Sequence, residues 1–95
     1  MPYSPKIILH VPLRDEAALE HFVEACLADG VNLIAVVGAG CAEVEDLIDE
    51  LVVGDGSDGG RFINTTSHQR EPLQDVLNFV RLWSLADGEG EQVWL

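Results

Sequence analysis

Two side chains in this sequence have the chemistry for nucleophilic work, Cys41 and His68. Cys41 opens a predicted helix, where unpaired N–H groups and the helix dipole favour a thiolate. Glu43, Glu45 and Asp46 follow closely and oppose that effect. A nucleophilic cysteine also needs a base within hydrogen-bond reach, and His68 is the candidate. Both follow predicted strands, which puts them on one carboxyl edge of a sheet, about 9–10 Å apart at two strand spacings. Such a pair would serve a small cysteine-dependent enzyme or a thiol sensor. Around His68 stands the densest polar set of the chain, Thr65, Thr66, Ser67 and Glu71. They are expected in a loop between a strand and a helix, where α/β domains keep their sites. A structural account of the same residues is capping of a turn, a His68 bond to the backbone, and Glu71 favouring a helix N-terminus.

Other motifs carry less. Gly38, Ala39 and Gly40 begin like a dinucleotide fingerprint, but the last position is Glu43 and the motif follows the second strand, so a tight turn is expected. Asp55, Ser57 and Asp58 suggest a calcium loop whose twelfth ligand would be Thr66, not a glutamate. The three histidines and two cysteines show no zinc-ligand spacing, so neither a metal nor a cofactor is expected. His10, within an apolar strand, reads as a hydrogen-bonded structural residue. Cys26 falls on an apolar helical stripe and reads as a buried thiol. Two cysteines in such different settings form no disulfide framework, and a reduced, cytoplasmic location is expected.

These residues need elements to position them. The pattern predicts strands at 6–11, 31–37, 61–66 and 92–95. Between them lie helices at 15–29, 41–53 and from Pro72 onward. Asp15 can cap the first helix and Gly30 can end it. Leu19, Phe22, Val23, Cys26 and Leu27 form its apolar stripe. Residues 54–60 are a glycine-rich linker, and 87–91 a turn. The order β-α-β-α-β-α-β implies a mainly parallel sheet covered by helices, a small three-layer α/β sandwich in a single domain over 1–95. Reversing direction after the first βαβ unit gives strand order 2-1-3-4. It places the first helix on one face, the second and third on the other, and strand 2 at an edge.

Net charge is −12, and it is one-sided. Twelve acids and no Lys or Arg lie between Asp15 and Gly60; five acids and five bases lie outside. A chain without a basic surface is no nucleic-acid binder, and an anionic membrane surface is disfavoured too. No apolar run reaches the roughly 18 residues of a membrane helix, and a signal peptide is not expected at the start. The acids Glu16, Glu20, Glu24, Glu43, Asp46 and Glu50 are either solvated helix faces or a surface for a basic protein partner. A homodimer through a free strand edge, at strand 2 or strand 4, is a third reading.

The pattern R-F-x-x-T-T-x-H-x-x-E-P-L-x-x-V-x-x-F is carried by Arg61, Phe62, Thr65, Thr66, His68, Glu71, Pro72, Leu73, Val76 and Phe79. It resembles a family of small bacterial proteins of unknown function. Cys41 and Asp46 match the same family around the second helix, whereas Ser67 stands where an aromatic residue is usual. The resemblance implies a small α/β domain and brings no activity. The expectation is an interaction module that uses its acidic half, with a Cys41–His68 enzyme or sensor as the alternative.

Overall fold

The computed structural model describes residues 2–84, 86 and 88–95. Four strands, β1 (Lys6–His10), β2 (Leu33–Val37), β3 (Asn64–His68) and β4 (Glu91–Trp94), alternate with three helices, α1 (Ala18–Asp29), α2 (Cys41–Val53) and α3 (Leu73–Leu82). All strand pairs are parallel, and the sheet order is β3-β2-β1-β4. The expected three-layer α/β sandwich is borne out; the expected order 2-1-3-4 is not. The physical reason lies in the strands themselves. β2 reads LIAVV and is buried at every position, so it needs neighbours on both sides and helices on both faces. β3 reads NTTSH and β4 reads EQVW, and such polar strands tolerate an edge. The edges open to a second copy are therefore β3 and β4, not β2.

This order relocates the helices. β1, β2 and β3 step in one direction, so right-handed crossovers put α1 and α2 on the same face. The last crossover returns to the far side of β1, which puts α3 alone on the other face. Two cores result. Ile7, Leu9, Ile34 and Val36 pack under α1 and α2 with Phe22, Val23, Cys26, Cys41 and Ile48. Ile8, Leu33, Ala35 and Val37 pack under Val76 and Val80 of α3. Gly30 ends α1 in the left-handed conformation, as expected, and its N–H donates to Cys26 and Leu27 carbonyls. Asp15 takes the N–H of Ala17 at 3.0 Å in the turn before α1, so α1 begins three residues later than expected.

Two basic side chains hold helix ends. Lys6 is buried (1% exposed), and its Nζ donates to the carbonyls of Val80 at 2.8 Å, Arg81 at 3.3 Å and Gly88 at 3.1 Å. It thus sits on the negative end of α3. Arg61 does the same for α2, donating to Val52 O at 2.8 Å and Leu51 O at 2.9 Å. Arg61 also grips Glu24 of α1 through two bonds, at 3.0 and 2.6 Å. That grip holds the Glu24 carboxyl below the usual carboxylate range. A lowered carboxyl stabilises the fold above its unfolded range and loses that contribution as acid protonates it. The expected turn at 87–91 begins on Asp87, which lies outside the described residues. Among the described residues no helix is long and apolar enough to cross a membrane.

Candidate functional site

The sequence put Thr65 and Thr66 where the expected strand 61–66 runs into the polar loop, and Ser67 in that loop, but all three belong to β3, which starts at Asn64 rather than at Arg61 and runs on to His68. β-Branched threonines suit a half-exposed edge strand, and Asn64 fixes its start by donating its N–H to Asn32 O at 3.0 Å. The loop proper is Gln69 to Pro72. Strand parity then divides the polar set. Thr65 faces the α2 side, where its hydroxyl donates to Asp49 Oδ1 at 2.6 Å. Thr66 and His68 face the α3 side.

His68 is 7% exposed and both ring nitrogens are engaged. Nδ1 lies 2.7 Å from Glu71 Oε2, and Nε2 lies 2.8 Å from Thr66 Oγ1. A carboxylate only accepts, so the Nδ1 proton points to Glu71, and a neutral ring takes the Thr66 hydroxyl proton at Nε2. The ring leans on Phe79 of α3, centroids 5.0 Å apart. The unit ties the end of β3, the loop and α3 together. Across the carboxyl edge of the sheet, His68, Val37, His10 and Trp94 form one row on this face. His10 stacks on Trp94 at 4.4 Å and donates through Nε2 to Gln92 Oε1 at 2.9 Å, which meets the structural role expected of it.

Cys41 lies on the opposite side. It is the first residue of α2, wholly buried, and packs in the core beneath α1 and α2. His68 shares a face with Val37 and Phe79, on the α3 side. The sheet therefore stands between the thiol and the imidazole, and the structure does not bring them together. Cys26 is equally buried, and burial, with Asp29 and Glu91 nearby, pushes its thiol up to about 12. Both thiols are free. Among the described residues no group of His, Cys, Asp or Glu could hold a metal ion. Native protein should then resist iodoacetamide at both cysteines and react at both once unfolded. A native Cys41 that alkylates faster than free cysteine would contradict this placement.

The acidic residues fare differently. Because α1 and α2 lie side by side, Glu16, Glu20, Glu43, Asp46 and Glu50 share one face of the molecule. Glu24 belongs to that face too, but Arg61 takes both its oxygens. Between the helices runs an apolar groove of about 350 Å³, floored by Leu13, Leu19, Leu47 and Leu51. Glu16, Glu20 and Glu50 form its rim. A second hollow continues it past Val44 and Glu43 to Gly40, sharing Leu13, Glu16 and Leu47.

The family model for a domain of unknown function, DUF7684, matches residues 2–91, nearly the whole chain. The chain belongs to the DUF7684 family. The resemblance drawn from the sequence to a domain of unknown function is thus borne out. Neither a curated protein nor a solved structure matches the chain.

Sequence reasoning missed Lys6, Arg61 and the groove leucines of this family member. A lysine beginning an apolar strand was the available signal for the first. A lone arginine closing a long acidic stretch was the signal for the second. For the third, Leu47 and Leu51 belong to the apolar stripe of α2, yet Leu47 is 45% exposed, which only the pairing of α1 with α2 reveals.

Proposed function

We propose that this DUF7684 domain is a protein-interaction module that meets a basic protein partner through the face formed by α1 and α2. One observation carries the reading: both helices of the stretch without Lys or Arg lie on the same face, so their carboxylates add up instead of cancelling. Such a field steers a cationic partner and repels a second copy. Glu16, Glu20, Glu43, Asp46 and Glu50 are the contributing acids, while Glu24 serves the fold through Arg61. Two free, buried cysteines fit a reducing, cytoplasmic setting.

The test compares the wild-type chain with a variant in which those five acids become Gln and Asn. Each is immobilised and exposed to an extract of its own source. The expected result is a partner held by the wild type, absent from the neutral variant, and released at about 0.5 M salt, where the Debye length falls to a few ångströms. The same partner on both chains, or retention that ignores salt, would sink the reading.

A further inference from the structure

We infer that the groove between α1 and α2 seats one amphipathic, lysine- or arginine-flanked helix of the partner. This rests on the interaction reading above and names the occupant. The groove presents two different chemistries in register. Its floor is leucine, with Leu47 lining both hollows and nearly half exposed. Its rim is carboxylate, Glu16 and Glu20 on one wall and Glu43 and Glu50 on the other. An apolar stripe between two cationic flanks matches both at once.

Backbone chemistry selects a helix over an extended strand. The groove walls are helices, whose own amides are paired within them, so they offer no ladder to an incoming strand. A strand laid there would bury unpaired N–H and C=O groups. A helix satisfies its own backbone and offers apolar residues at i, i+3, i+4 and i+7 to the leucine floor. From Gly40 to Leu51 the floor follows α2 for about 11 residues, or about 17 Å, which is three turns of the guest. Charge excludes a second copy of this chain as the occupant, because its acidic face would meet another.

The experiment uses two synthetic peptides of about 14 residues, made only of leucine and lysine, equal in composition and charge. One has its leucines on a single helical stripe; the other has them scrambled around the helix. Binding of each to the wild type and to Leu47→Asp is followed by fluorescence anisotropy at low salt. The striped peptide should bind the wild type about tenfold tighter than the scrambled one, and Leu47→Asp should abolish most of that advantage. Equal binding of the two peptides, or no loss with Leu47→Asp, overturns the groove while leaving a purely electrostatic face standing. Binding of neither peptide overturns both. Leu13→Asp, from the β1–α1 loop, repeats the test on the other wall should Leu47→Asp fail to fold.

Discussion

Gly38→Ala destabilises the fold by about 3–5 kcal/mol. Gly38 has φ +110°, a conformation that costs a side-chain-bearing residue about 1–3 kcal/mol. An added Cβ would also stand 2.2 Å from the Val11 carbonyl oxygen and 3.3 Å from Val11 Cγ2. That oxygen is backbone and cannot rotate away. Nor can the segment drift freely, since the Val11 N–H is bound to Val37 O at 2.9 Å. The carboxyl ends of β1 and β2 must part for the methyl to fit. A chain of this length holds about 5–14 kcal/mol in total, so the loss is at least about a fifth of it. Urea unfolding followed by circular dichroism measures it. A midpoint unchanged by the substitution would show that the turn at Gly38 is looser than described.

Lys6→Met removes about 2 kcal/mol. Two effects oppose each other. Taking an ammonium out of a site 1% exposed relieves its desolvation, and methionine keeps the buried stem. Against this, three carbonyls lose a bond to a charged donor, and that of Val80, in the buried part of the site, is left with the Trp83 N–H alone at 3.2 Å. Water cannot reach that oxygen without opening the contact of α3 with the sheet. The lost bonds outweigh the relief because a hydrogen bond to a charged group contributes about 1.5–3 kcal/mol. The damage should be local to α3: amide exchange there should rise, while α1 and α2 keep their protection. Uniform loss across both faces would mean that Lys6 serves the whole sheet and not one helix end.

Much of the fold was legible. The βα rhythm, the helical stripes and the glycine stop at Gly30 all follow from periodicity and turn chemistry. The strand order was legible too, in the contrast between LIAVV and NTTSH, since only an apolar strand belongs in the middle of a parallel sheet. Leaving neither sheet face bare of helices could not choose between the two orders, because both satisfy it. That one choice decided the candidate site. In the order 2-1-3-4 the second and third helices share a face, and Cys41 and His68 can meet. In the order β3-β2-β1-β4 they are divided by the sheet. The same change brought the acids together on one face instead of spreading them around an edge. Other features were not legible because they join distant residues. Lys6 meets the end of α3 more than seventy positions away, and Arg61 meets Glu24 across 37. Periodicity carries no trace of such pairs.

His68 gains a clear role without gaining a substrate. Glu71 and Thr66 saturate its nitrogens, and Phe79 covers its ring. Among the described residues no buried side-chain nitrogen or oxygen lacks a hydrogen-bond partner. The polar cluster is thus complete within itself, whereas the acidic groove is not: Leu47 on its floor is exposed and its carboxylates have no Lys or Arg on their own helices.

The most direct measurement is the Kd of the striped leucine–lysine helix for the wild type against Leu47→Asp at low salt. Leu47→Asp adds negative charge to an acidic face, so attraction by charge alone would tighten binding of a cationic peptide. A leucine-floored groove that seats the apolar stripe predicts the opposite sign, a loss of about tenfold. Weaker binding by the more acidic variant supports the account; tighter binding contradicts it.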